Sequence, residues 1–267
     1  MEIKVDNVVF RYNSKPVLDG VTFEAKKCRI TGIIGPNGSG KTTLLRCIVN
    51  ILKPENGAIF IGNRAIHSYK TKELAKKLSA VPQISRLETG FTVFETVLLG
   101  RYPHLGTFQR ESEQDFQVVK SVLERVGISR LANRDVNALS GGEKQLVAIA
   151  LALAQEPRVL LLDEPTLHLD INMQYTIMEL CREISRDKEL VVIVVLHDLE
   201  LAAHYCDDLI ILKHGQIRAA GTSDEVIVKE HILDTYGVDV VVGRDDETGL
   251  KYILPHGGNR ASSDARK

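Results

Sequence analysis

The stretch GPNGSGKT, residues 35–42, decides the fold class of this 267-residue chain. It satisfies the pattern G-x-x-x-x-G-K-[ST] at every fixed position: Gly35, Gly40, Lys41 and Thr42. The preceding residues, RITGII, form an apolar run of strand length. In the following residues, 41–51, Leu44, Leu45, Ile48 and Val49 fall on one face of a helix. Strand, glycine loop, helix is the order of an α/β phosphate-binding unit, and it is the context such a motif requires. Glycines let backbone N–H groups turn toward phosphate oxygens, and the helix N-terminus adds unpaired donors and partial positive charge. Gly35, Asn37, Gly38, Ser39, Gly40 and Thr43 are the expected cradle. Lys41 brings a full charge to the outer phosphates, and the Thr42 hydroxyl is placed to ligate Mg²⁺. A chance match is expected about once per hundred chains of this length, and the flanking pattern lowers that further.

Composition excludes several classes. Hydrophobic residues make up 44% and charged residues 26%, which predicts a packed core. The formal net charge of −1 provides no bulk attraction to nucleic acid or to an anionic membrane. Cys28, Cys47, Cys181 and Cys206 have no C-x-x-C spacing, so they read as buried or free thiols in a reducing compartment. The opening MEIKVDNVVF mixes charges among apolar residues and does not read as a signal peptide. The longest apolar run, residues 190–196, is far short of the roughly 20 residues that a membrane helix needs. The small polar residues of HGGNRASSDARK predict a disordered end.

The opening reads as two strands, with Ile3 and Val5, then Val21 and Phe23, alternating about a turn near Asn13. Residues 71–77, 92–99 and 112–126 read as helices with little strand between them, which suggests a helical insert. From residue 159 the α/β rhythm returns. Residues 159–162 and 190–196 read as buried strands around a helix at 171–185. Continuous apolar strands suit a parallel sheet covered on both faces. Residues 209–212 and 216–220 read as a closing hairpin.

Two strand ends carry chemistry. VLLLDEP, residues 159–165, ends in Asp163 and Glu164. Taken alone, it reads as a buried strand leaving to solvent. With the phosphate loop upstream, Asp163 becomes a Mg²⁺ ligand and Glu164 the group that orients or deprotonates an attacking water. His197 follows the next apolar run and is expected at the same sheet edge, in contact with the γ-phosphate and supporting Glu164. By itself it reads as a surface histidine after a strand. Gln83, in AVPQ, also follows a short apolar segment and is a candidate for Mg²⁺ or the water.

LSGGEKQLVAIALALAQEP, residues 139–157, adds a second anion-binding helix start at Ser140, Gly141 and Gly142. One nucleotide already has a cradle, so a second is understandable if two copies pair head to tail, each covering the other's ATP. With this stretch the chain closely resembles the nucleotide-binding subunits of ABC transporters, over residues 12–236. The resemblance implies an α/β fold: a P-loop NTPase core with a mostly parallel sheet, an N-terminal antiparallel β subdomain and an inserted α-helical subdomain. It implies an ATPase domain at residues 1–240 with the helical insert at about 84–150, and a C-terminal extension at 241–267. Residues 35–43 are then the Walker A loop, Gln83 the Q-loop glutamine, residues 139–145 the signature, and Asp163 and Glu164 the Walker B aspartate and catalytic base. Asp170 belongs to the D-loop, His197 is the switch histidine, and Tyr12 is the aromatic that stacks on adenine. Thr42, Gln83 and Asp163 are the implied metal ligands. Leu146 and Leu151 stand where family members often carry arginine.

The resemblance further implies ATP and Mg²⁺ as cofactors, a homodimer, and separate permease subunits with a substrate-binding protein. Residence on the cytoplasmic face of the membrane and absence of nucleic acid follow with it. A soluble ATPase acting in DNA repair, translation or Fe–S assembly is the alternative. The insert lacks the long coiled coils of the chromosome-maintenance and repair ATPases. Within the insert, LLGRYPHLG (residues 98–106) resembles importers of iron–siderophore, haem and cobalamin and their molybdate/tungstate relatives. Gly100 and Pro103 are expected to end a helix there, leaving Arg101 and Tyr102 to face a membrane partner.

Overall fold

The computed structural model describes residues 2–83 and 90–256. The disordered end expected from composition falls mostly on residues 257–267, outside the described residues.

Alternating apolar residues build the first layer. β1 (Glu2–Tyr12) and β2 (Lys15–Lys26) form a hairpin about Asn13 and Ser14. β3 (Arg29–Ile34) runs into the glycine loop and α1 (Lys41–Ile48), as expected. β4 (Asn56–Ile61) and β5 (Arg64–Ala65) complete a four-stranded antiparallel sheet of order β2-β1-β4-β5. α2 (Thr71–Ala75) and β6 (Leu78–Val81) follow.

The helical middle consists of α3 (Val93–Leu98), α4 (Glu113–Arg125) and α5 (Gly141–Ala154). Each starts at a hydroxyl that caps its first turn: Thr92, Ser112 and Ser140, answered by Glu95, Asp115 and Glu143 in reciprocal capping boxes. The α/β part resumes with β7 (Val159–Asp163), α6 (Ile171–Asp187), β8 (Val191–Val195), α7 (Leu199–Tyr205), β9 (Asp208–Lys213) and β10 (Gln216–Thr222). α8 (Ser223–Val226), α9 (Lys229–Tyr236) and a hairpin of β11 (Val240–Arg244) with β12 (Lys251–Pro255) close the described chain.

The central sheet has the order β10-β9-β3-β8-β7-β6, parallel except for β10. Its inner strands β3, β8 and β7 are buried on both faces, whereas the edge strand β10 is not, and period-two alternation splits the inner strands between two cores. Leu160, Leu162, Val192 and Val194 pack with the helices α3 to α6. Val159, Leu161, Val191 and Ile193 pack with α1 and the antiparallel sheet. The fold expected from the resemblance is therefore the fold observed. Parallel pairing also puts the C-terminal ends of β3, β6, β7 and β8 on one edge, where the glycine loop, Gln83, Asp163–Glu164 and His197 emerge.

The exit from α3 departs from expectation. The chain does not end its helix at Gly100. It passes directly into a 3₁₀ helix, Leu99–His104, with Pro103 inside it. Tyr102 is exposed, as expected, but Arg101 is only 4% accessible. Arg101 Nε donates to Asp115 Oδ1 at 2.9 Å, and its Nη1 donates to Ala154 O at 2.8 Å and to Glu156 Oε2 at 2.6 Å. Its guanidinium is spent inside the protein and is not available to a partner.

Candidate functional site

A cleft of 520 Å³ opens at the sheet edge. Asn37, Gly38, Ser39, Gly40, Lys41, Thr42 and Thr43 line one side, and Gln83, Glu164 and His197 the other. Residues drawn from four separate strand ends therefore meet in one space, as a doubly wound sheet permits.

The loop keeps its shape through backbone that only glycine accepts. Gly35 has φ +150°, and a Cβ there would stand 2.0 Å from Leu212 O. Gly40, at φ +108°, opens α1 without any side-chain cap, so the first-turn N–H groups face the cleft. Gly215 N donates to Ser39 O at 2.9 Å, which ties the loop to the turn between β9 and β10. Lys41 Nζ donates to Gly35 O at 2.7 Å and Pro36 O at 3.1 Å, folding over its own loop. Burial pushes the Lys41 pKa down, while Glu164 and Asp163 oppose the shift.

The acidic side is arranged around Glu164. Its backbone is left-handed, φ +53°, at a cost of about 1–3 kcal/mol for a residue with a side chain. That bend turns the carboxylate from the strand axis toward the cleft. Gln83 Nε2 donates to Oε2 at 2.5 Å, and a His197 ring nitrogen bonds Oε1. Asp163 is buried, and its Oδ1 has no hydrogen-bond partner among the described residues. Burial raises its pKa, opposed by the Thr42 hydroxyl beside it. An orphaned buried carboxylate oxygen next to a hydroxyl suits a hard cation. Among the described residues, no group of three or more His, Cys, Asp or Glu could hold a metal. Mg²⁺ carried by phosphates needs only one or two protein ligands, so the residues present fit it.

Other expected residues lie elsewhere. Ser140 Oγ accepts from Glu143 N at 3.3 Å and caps α5, while Asp170 Oδ1 accepts from Met173 N at 2.9 Å and caps α6. A Cβ on Gly142 would stand 2.6 Å from Met173 Cγ, so these two helix starts are neighbours. Ser140, Gly141 and Asp170 are exposed while Gly142 is buried, and none of them lines this chain's own cleft. Tyr12 ends β1 with its ring 4.9 Å from Phe10, partly exposed and outside the cleft lining. Val17 and Leu167 do line the cleft. No local motif announces them, since each arrives there through packing of β2 and of the turn after β7.

A family model for ABC transporters matches residues 18–167, more than half of the chain. This chain belongs to the ABC transporter family. It is 44% identical over 258 residues to an uncharacterized ABC transporter ATP-binding protein of Methanocaldococcus jannaschii, covering 96% of this chain and 99% of the relative. It is 36% identical to the ferric enterobactin transport ATP-binding protein of Escherichia coli, covering 98% and 96%. Among solved structures, a dimeric bacterial ABC transporter cassette superimposes with a TM-score of 0.72 at 31% identity, covering 83% of this chain and 98% of that one. The chain is thus an ATP-hydrolysing transporter component. None of the helices among the described residues is long and apolar enough to cross a membrane.

Proposed function

We propose that this ABC cassette powers an importer for an iron–siderophore, haem, cobalamin or related metal chelate or oxyanion, through a separate membrane permease. The observation that carries the reading is the separation of two half-sites. The phosphate loop, Glu164 and His197 share one cleft, while the exposed helix start at Ser140 and Gly141 lies outside its lining. One copy is therefore incomplete, and a second copy in head-to-tail orientation supplies the missing N–H donors. The dimeric relative and the name of the ferric enterobactin transport protein support the same reading.

In the proposed cycle the Gly35–Thr43 backbone and Lys41 hold the phosphates. Thr42, Asp163 and Gln83 would hold Mg²⁺, which would offset the negative charge of the phosphates when bound. Tyr12 stacks on adenine. Glu164, positioned by Gln83 and His197, orients a water behind the γ-phosphate and accepts its proton as the water oxygen bonds the γ-phosphorus and the bond to the β–γ bridging oxygen breaks, releasing ADP and phosphate. The second copy's Ser140, Gly141 and Gly142 close on the γ-phosphate, with Asp170 at the seam. The subunit sits on the cytoplasmic face through its permease, with a binding protein delivering cargo.

Recovery of the native protein from its own cells tests this. Co-purification with a polytopic membrane protein whose chelate cargo stimulates ATP hydrolysis supports the proposal. Recovery with nucleic acid or ribosomes overturns it.

A further inference from the structure

The buried contacts of the Leu99–His104 turn converge on one place, the C-terminal end of α5. Arg101 Nη1 donates to Ala154 O at 2.8 Å, and the His104 Nε2 position lies 2.9 Å from Gln155 O. These are end carbonyls of α5, which have no partner within the helix. Gly100 lets the turn approach, because a Cβ there would stand 2.4 Å from Leu151 O and 2.8 Å from Ala154 Cβ. A cation at this end also complements the helix dipole. Arg101 is fixed in turn by Asp115, which caps the start of α4, and by Glu156 just past α5. The opposite end of α5 is Ser140, Gly141 and Gly142. The same turn exposes Leu99 at 47% and Tyr102 at 74%.

We propose that the Gly100–His104 turn is a clamp on the C-terminus of the signature helix, with Arg101 as the positioning residue that fixes where Ser140–Gly142 stand. The inference rests on the head-to-tail reading above. It assigns Arg101 no contact with the partner or with ATP.

The test uses the full chain in a Glu164→Gln background, with ATP-driven dimerisation followed by sedimentation. Arg101→Met and, independently, Gly100→Ala are expected to raise the concentration at half-dimerisation about tenfold, with ATP affinity of the monomer unchanged. Arg101→Lys, which keeps one donor for Ala154 O, falls between. Leu123→Ala, a destabilising change in the core of α4, is the control and leaves dimerisation in place. In the monomer, amide exchange of residues 141–146 quickens in both clamp variants and not in the control. Unchanged dimerisation in both clamp variants overturns the clamp, as does an equal loss in the control. If the background itself stays monomeric with ATP, the head-to-tail reading falls, and unchanged exchange in the clamp variants then overturns the clamp separately.

Discussion

Gln83 donates to Glu164 across 81 positions of sequence, Nε2 to Oε2 at 2.5 Å, because β6 and β7 are parallel neighbours in the central sheet. With His197 on the other oxygen, the carboxylate is held at both of its oxygens. Glu164→Gln keeps the shape and removes the proton acceptor. Phosphate release is expected to fall at least about 100-fold, while ATP affinity stays near that of the native chain. Turnover at the native rate would remove Glu164 from its assigned role.

Asp163 is charged at a cost. Burial holds its folded pKa above the ordinary carboxylate value. For a raised folded pKa, the associated stability is present at low pH and lost as pH rises through that value. At neutral pH the buried carboxylate therefore destabilises the folded chain. Asp163→Asn should melt at a higher temperature than the native chain without nucleotide, yet gain no extra stability from Mg²⁺ added to ATP. A lower melting temperature for the nucleotide-free variant would contradict the electrostatic account.

The Arg101–Asp115 pair answers to acid. Hydrogen bonds from Ser112, reinforced by Arg101, hold the Asp115 pKa down to about 2. For a depressed folded pKa, the stability is present above the ordinary carboxylate value and lost as pH falls toward about 2. Thermal melts should show this loss in the native chain below about pH 4. In Asp115→Asn that part of the pH dependence disappears. Arg101→Ala at neutral pH leaves Asp115 buried without its cation and should cost about 3–5 kcal/mol in chemical denaturation.

Gly35 tolerates no side chain. Gly35→Ala would force a methyl into Leu212 O and shift the loop that Lys41 closes. Nucleotide affinity should fall steeply by calorimetry, with the fold retained by circular dichroism. Undiminished affinity would show that the loop adapts.

Ser140 carries a structural and a functional load. Ser140→Ala removes the α5 cap and should cost about 1 kcal/mol of stability. Monomer ATP affinity should persist, because Ser140 lies outside its own chain's cleft. ATP turnover, which in the head-to-tail dimer needs the second copy's Ser140, should drop.

The phosphate loop, the helix behind it and the parallel strands were legible in the sequence because each depends on neighbours in the chain. Glycines at 35, 38 and 40 dictate a turn, and short unbroken apolar runs at 159–162 and 190–196 suit strands covered on both faces. Asp163, Glu164 and His197 could be proposed because parallel strands must end on one edge. The grip on Glu164 and the fate of Arg101 were decided by tertiary structure. A charged residue after a helix reads as exposed, since burying a cation is costly unless its partners are supplied. Here those partners come from 14, 53 and 55 positions away. No local pattern encodes that convergence; only the packing of α3, α4 and α5 brings it about.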